Sequence, residues 1–367
     1  MTSSAAIRAE ADRLVAVFET AGAQRFETDI LQPAETLLDL YGEDMRARAY
    51  VTQDPLFGEQ MLRPDFTVPV VQSHMAQGVT PARYTYAGEV FRRQEDETGR
   101  PREYMQVGYE VFDGANPAGA DADVFATVTG ILAPLQGKLR ISMADIGLLL
   151  AAVDGLDTSQ ARKSALKRHI WRPSRFRALL DRFSGKTPAP NSRRHLLQAA
   201  TATPVAALAA TAGPEIGLRS VADIETRVTA LAQDAATPPI DSDQVAMIED
   251  LLAIRETPAD ALERLRNLTV DLPAIEPAVT RIHDRLTALE NRGVDLSRVT
   301  FDAGYGRTSM EYYDGFVFGI SVEGRPDLPP LSTGGRYDAL TRVLGRGHGI
   351  PAVGAVLRPA TMLEAAQ

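Results

Sequence analysis

Between Tyr84 and Phe112 the chain reads YTYAGEVFRRQEDETGRPREYMQVGYEVF. Two β-prone runs flank a charged loop: Tyr84, Tyr86, Val90 and Phe91 before it, and Tyr104, Val107, Tyr109 and Val111 after it. Period-two alternation sets Met105, Val107, Tyr109 and Val111 on one face of the second strand and Arg102, Tyr104, Gln106 and Glu110 on the other. Arg92, at the end of the first strand, joins the polar face if the hairpin closes in a suitable register. Guanidinium forks bind oxyanions, and carboxylates or amides bind ammonium, so this polar set suits a small zwitterion or a phosphate. The alternative is an antiparallel hairpin whose polar face is simply solvated.

The rest of the chain must position that hairpin. At 367 residues it has ample core for one large or two medium domains, and 44% hydrophobic residues is ordinary for a globular protein. There is no cysteine, which excludes disulfides and thiolate metal sites, and no metal or cofactor site is expected. The N-terminal MTSSAAIRAEADRL lacks the apolar run of a signal peptide and reads as an amphipathic helix. No stretch has the length of a membrane span, so a cytoplasmic protein with no membrane partner is expected. A formal net charge of -9 and a pI near 5.2 argue against nucleic acid as the main partner. The basic run 161–177, ARKSALKRHIWRPSRFR, reads as a solvated helix face, with an RNA or protein contact as the alternative.

In chain order, residues 4–22 fit a helix with Ile7, Leu14, Val15 and Phe18 on one side, closed by Gly22. An extended piece breaks at Pro33 before a helix-like segment 34–41, and strands at 49–53 and 60–63 flank a turn at 55–58. Asp121 stands before an apolar-periodic run and predicts a helix start there. A strand at 138–143 and a helix at 147–153 follow. From about 157 to 292 alanine, leucine and charges dominate with helical spacing, broken at TPAP (187–190), TATP (201–204) and ATPP (236–239). Strands resume at 299–302 and 316–322, and Gly334-Gly335-Arg336 reads as a tight turn from which Tyr337 opens a helix. The expected class is α+β: a core from 1–155 and 293–367, with 156–292 as a helical insertion.

Several of these strings resemble class II aminoacyl-tRNA synthetases, in the version of the histidyl-tRNA synthetases. Phe91-Arg92, Arg102-Glu103-Tyr104-Met105-Gln106 and Glu110 match the family's second signature motif, with Tyr104 and Met105 replacing Phe and His. The Pro33 junction resembles the first motif, which builds a dimer interface in that family. LRPDFTVPV (62–70) matches the family's Leu-Arg-Pro-Glu-x-Thr, which sets a carboxylate and a hydroxyl on the α-amino group of histidine. Asp65 and Thr67 hold those positions, the carboxylate one methylene shorter; the alternative is that both cap a helix starting near Val68. GGRYDAL matches a histidine-specific motif nearly letter for letter. The resemblance implies an antiparallel sheet flanked by helices and a histidine pocket of Asp65, Thr67, Arg92, Gln106, Glu110, Tyr312 and Tyr313, the tyrosines and Glu110 holding the imidazole.

The departures from the family bear on function. Its Arg-Gly-Leu-Asp-Tyr-Tyr carries a catalytic arginine where this chain has Thr308; Arg307 is one residue early, which on a strand turns it to the other face. In the third motif Arg358 stands in place of glycine and Thr361 in place of the phosphate-binding arginine, with Pro359 disturbing the helix start. Each lost transition-state donor costs about 10²–10³ in rate. Only six residues follow Thr361, so an anticodon-binding domain and tRNA are not expected. The whole pattern resembles the regulatory subunits of ATP phosphoribosyltransferase, synthetase paralogues serving the first step of histidine biosynthesis. That resemblance implies no catalytic residues, self-association as a dimer and pairing with a short catalytic subunit in a hetero-octamer. It also implies a requirement for full activity and feedback inhibition by free histidine. The alternatives are a divergent histidyl-tRNA synthetase or histidine-activating ligase using Arg307 or Arg358, and a free-standing histidine-binding module.

Overall fold

The computed structural model describes residues 3–35, 49–77, 79–94, 101–211, 213, 218–308 and 312–367. Helix α1 (Ser4–Thr20) starts where the Ser3 hydroxyl accepts from the Ala6 N–H at 3.2 Å, and it buries Leu14, Val15 and Phe18. It is followed by β1 (Gln24–Arg25), and by β2 (Leu31–Pro33), β3 (Val51–Asp54) and β4 (Gly58–Leu62), which form a small sheet in the order β2-β4-β3. The segment 34–41, read as a helix, continues outside the described residues beyond 35. Helix α2 (Thr67–Gln77) leads into β5 (Ala82–Phe91) and β6 (Glu103–Phe112), then α3 (Pro117–Ile131) and β7 (Leu139–Asp145).

After helix α4 (Ile146–Gly155) come α5 (Gln160–Arg168), α6 (Pro173–Phe183), α7 (Asn191–Ala202), α8 (Val205–Thr211), α9 (Val221–Ala236) and α10 (Ser242–Leu252). Then follow β8 (Arg255–Glu256), α11 (Pro258–Leu268), α12 (Glu276–Glu290), β9 (Val299–Asp302) and β10 (Phe316–Val322). The chain closes with β11 (Ser332–Arg336), α13 (Asp338–Leu344), β12 (Ala352–Leu357) and α14 (Pro359–Ala365). The large sheet runs β1-β5-β6-β12-β11-β10-β7-β9-β8. All its pairings are antiparallel except β1–β5 and β7–β9. The α+β class holds.

Both faces of β6 are covered. The apolar face carries Tyr109, whose ring stacks on Phe18 of α1 at 4.8 Å, beside buried Val107 and Val111. The polar face is buried too: Gln106 and Glu110 are each 1% exposed, which rules out a solvated hairpin face. Burying a carboxylate is costly unless donors meet it, so neighbouring elements must supply those donors.

The chain divides into two compact units. One comprises 1–148, 253–267 and 276–367; the other comprises 149–252 and 268–275. The division differs from a single insertion over 156–292, and Arg285 of α12 gives the physical reason. Its Nε donates to Asp121 Oδ2 at 2.7 Å and its Nη2 pairs with Asp145 Oδ2 at 2.9 Å, while its guanidinium lies 4.5 Å over the Phe316 ring. Asp121 also receives Nε and Nη2 of Arg336 on Oδ1, at 3.0 and 2.6 Å. Asp121 therefore does not start a helix: Asn116 caps α3, accepting from Gly119 N at 2.9 Å, and Asp121 sits inside as a buried anion between two cations. Nor is Gly334-Gly335-Arg336 a turn. It is the body of β11, paired with β10 on one side and β12 on the other. Pro359 does not disturb α14 either; it occupies the first helical turn, where its missing N–H leaves nothing unpaired.

Within the helical unit the basic run is amphipathic. Arg162, Leu166, Ile170 and Phe176 are buried, and Arg162 donates to Asp234 Oδ1 at 2.6 Å and to the Pro238 carbonyl at 2.7 Å. It is more than a solvated face. In the sheet unit, Arg285→Ala removes the ion-pair partner of Asp145 and one of the two cations on Asp121, carboxylates that are each under 3% exposed. Urea unfolding should register a loss of about 3–5 kcal/mol; a loss below about 1 kcal/mol, the scale of a surface pair, contradicts the network's role.

Candidate functional site

Glu110 is the centre of the site. In the β5–β6 register it stands opposite Tyr84, with Tyr86 opposite Gly108 and Gly88 opposite Gln106, so Tyr86, Gln106 and Glu110 share one face. Two glycines make the room. A Cβ on Gly108 would lie 1.9 Å from the Tyr86 ring, and one on Gly354, opposite Glu110 in β12, would lie 1.5 Å from Glu110 Oε2. Glu110 Oε1 accepts from Tyr86 OH at 2.9 Å and from Thr67 Oγ1 at 3.1 Å. Its Oε2 accepts from Tyr337 OH at 2.6 Å. Three hydroxyls from three elements thus converge on one buried carboxylate.

Electrostatically the site is a balance. Burial raises the Glu110 carboxyl, the three hydroxyls oppose that shift, and nearby Asp65 adds to it; the outcome is a pKa of about 7. Burial likewise raises Asp65, against the attraction of Arg92 and hydrogen bonds from the Val68 and Thr67 N–H groups. Burial, then the Glu110 charge, pushes the Tyr86 and Tyr337 phenols well above their usual range, so both remain protonated donors. Tyr312 and Tyr313 complete the wall, ring centroids 4.5 Å apart, each about 6 Å from the Tyr337 ring (6.2 and 6.4 Å), with their phenols raised by burial.

Most of the residues singled out in the sequence meet here. Asp65 accepts from the first N–H groups of α2, as the capping reading expects, and its Oδ1 is buried with no hydrogen-bond partner. Gln106 Oε1 is buried and unpartnered as well. Arg92 closes the hairpin, its N–H donating to the Arg102 carbonyl at 2.9 Å, and its Nε holds the Pro64 carbonyl at 2.9 Å beside Asp65. Arg102 itself is exposed and is not brought in. Tyr86 and Tyr337 were not singled out as site residues. For Tyr337 the signal was its place in GGRYDAL; for Tyr86 it needed the register, which the long loop conceals. Two orphaned acceptors, Gln106 Oε1 on the sheet face that carries Tyr86 and Glu110 and Asp65 Oδ1 at the start of α2, suit a ligand that brings N–H donors, such as an ammonium group or a protonated ring nitrogen.

At the two positions where the resemblance implies cations in the synthetases, this chain has threonines. Thr308 is exposed and Thr361 is buried near the start of α14. Arg358 caps that helix without a side-chain bond to it; its Nη1 donates to the Pro330 carbonyl at 2.8 Å and its Nη2 to Thr333 Oγ1 at 3.3 Å. Arg307 is buried, 6% exposed.

A carboxyl raised in the fold binds its proton more tightly there than in the unfolded chain. Glu110 therefore favours folding fully below its ordinary pKa of 4.5, and that contribution is lost as pH rises through about 7. It amounts to roughly 3 kcal/mol at most. Glu110→Gln should flatten the fall in thermal stability between about pH 5 and pH 8, measured by circular-dichroism melts across that range. A variant with the parent's slope contradicts the assignment.

Residues 2–216 and 225–362 match the family described as histidyl-tRNA synthetase. The chain is 34% identical over 360 residues to an ATP phosphoribosyltransferase regulatory subunit of Allorhizobium ampelinum, covering 92% of each. It is 32% identical over 369 residues to the protein of that name from Rhizobium leguminosarum bv. trifolii, covering 94% of each. Among solved structures, a regulatory subunit/histidyl-tRNA synthetase from Bacillus halodurans aligns with a TM-score of 0.69 at 21% identity, covering 100% of this chain and 82% of that one. The histidyl-tRNA synthetase of Nostoc sp. aligns at 0.63 and 19%, covering 98% of this chain and 70% of that one. These two alignments establish the class II synthetase-like fold. The chain belongs to the histidyl-tRNA synthetase family, in its branch of ATP phosphoribosyltransferase regulatory subunits.

Proposed function

We propose that this protein is a non-catalytic regulatory subunit that binds free histidine in the Glu110 pocket and transmits it as feedback inhibition. Its partner is a short ATP phosphoribosyltransferase catalytic subunit, which needs it for full activity, in a hetero-octamer built on dimers of this chain. The names of its relatives support the pairing. The observation that carries the histidine reading is the pair of orphaned buried acceptors, Asp65 Oδ1 and Gln106 Oε1, beside the buried Glu110 cluster.

In this reading Asp65, Thr67 and the unpartnered Gln106 Oε1 take the α-ammonium, Arg92 the carboxylate end, and Glu110 with Tyr312 and Tyr313 the imidazole. A Glu110 carboxyl poised near pH 7 matches an imidazole that titrates in the same range. Histidine inhibits if it binds the inactive state of the assembly more tightly than the active one. Adenylation is lost because the positions for phosphate cations hold Thr308 and Thr361, while the Arg358 guanidinium is occupied by the Pro330 carbonyl and Thr333. Neither tRNA nor a membrane has a part in this scheme; among the described residues no helix is long and apolar enough to cross one.

Asp65→Ala and Gln106→Ala should each raise the histidine concentration for half-inhibition of the reconstituted complex, by roughly tenfold or more for the charged contact. Size-exclusion chromatography should show assembly intact. Unchanged sensitivity in both variants removes this pocket as the sensor. The purified chain alone should give no histidine-dependent ATP–pyrophosphate exchange; a robust signal would instead make it an activating enzyme.

A further inference from the structure

The helical unit carries a second built feature, with no part in the histidine pocket. Helices α5, α6, α7 and α9 enclose a cavity of about 270 Å³ lined by Arg162, Arg182, Arg193 and Arg194, with Asp234 as the carboxylate among its lining residues. The Asp234 charge is already committed: Oδ1 to Arg162 Nε at 2.6 Å and Oδ2 to Arg193 Nη2 at 2.6 Å. Arg162 is also saturated by the carbonyls of Asp234, Thr237 and Pro238. Arg182 differs. Its guanidinium lies 4.8 Å over the Phe183 ring, and its Nε is buried with no hydrogen-bond partner, as is Nε of Arg193.

Burial, then the repulsion of Arg193, Arg162 and Arg227, lowers the Arg182 pKa, with Asp234 opposing. Arg193 keeps Asp234 Oδ2 and the Leu231 carbonyl, and Arg194 keeps Asn191 Oδ1, but one carboxylate faces several crowded guanidiniums and two buried Nε donors are left over, an arrangement that a further anion stabilises. Guanidinium donors are forks suited to tetrahedral oxyanions. We propose that this cavity is a binding site for a compact phosphate anion, of the inorganic phosphate or pyrophosphate class, received on Arg182, Arg193 and Arg194. The geometry disfavours a nucleic-acid strand. Arg162 is buried and Arg182 and Arg193 are half-buried around one cavity rather than set in an exposed row, and the chain carries a net charge of -9.

Calorimetric titration of the full chain with pyrophosphate, and separately with inorganic phosphate, tests this. One anion should bind per chain, and Arg182→Met should weaken it roughly tenfold or more. Methionine keeps an apolar stem over Phe183 and removes no hydrogen bond made by Arg182, so the melting temperature without anion should stay near the parent's. Arg194→Gln, at the exposed rim, provides a second variant and should also weaken binding, whereas Arg177→Gln, elsewhere in the same unit, should leave it unchanged. Lack of heat from both anions, equal affinity in the parent and both cavity variants, or single-stranded RNA binding that pyrophosphate does not displace would each overturn the proposal.

Discussion

A carboxylate taken out of water must be met by donors, and the sheet unit is arranged around one such meeting. Glu110 is 1% exposed, and its three hydroxyl partners come from the first residue of α2, the middle of β5 and the residue that opens α13. Each partner fixes an element. Thr67 aims α2 at the sheet, Tyr86 needs the bare backbone of Gly108 beneath its ring, and Tyr337 needs β11 to end beside β12. Gly354, opposite the carboxylate, must remain without a side chain because Oε2 occupies that volume. Along the strand order β5-β6-β12-β11, Tyr86, Glu110, Gly354 and, just past the last strand, Tyr337 follow one another around that one carboxylate, with Thr67 reaching it from α2.

The same logic recurs at Asp121 with different chemistry. There the compensation comes from full positive charges, Arg285 and Arg336, and the anion is a strut rather than a site. The two buried carboxyls show how environment divides roles. Neutral donors leave Glu110 poised near neutrality, whereas two guanidiniums give Asp121 ion-pair partners on both oxygens. Asp314 is a third variation: its carboxylate accepts from Asp338 N and Ala339 N at the start of α13, and burial together with the Asp338 charge lifts it to about 6.

Much of this site was legible in the residues themselves. Alternation along 103–112 separated the polar face of Gln106 and Glu110 from the apolar face of Val107 and Tyr109, and local strings marked Asp65, Thr67 and the tyrosine pair. What was hidden depended on distance along the chain or on glycine. Asp121 lies 164 and 215 residues from its two cations, so its local setting favoured a helix cap. Gly334 and Gly335 carry the usual signature of a turn, yet β11 uses them because Phe318, Tyr313 and neighbouring backbone occupy the space a Cβ would need. Helix α12 has the same alanine- and leucine-rich pattern as the helices before it. Its packing against α3 and the ion pairs of Arg285 tie it to the sheet.

The order in which these parts leave the ribosome is set by the same connections. When residues 1–148 have emerged, β6 lacks β12 as a neighbour, Glu110 lacks the Tyr337 hydroxyl, and neither cation of Asp121 has been made. Translation must pass through the entire helical unit, and then almost to the last strand, before those charges are neutralised. The native pairings of the N-terminal portion are therefore incomplete until the final tenth of the polypeptide arrives.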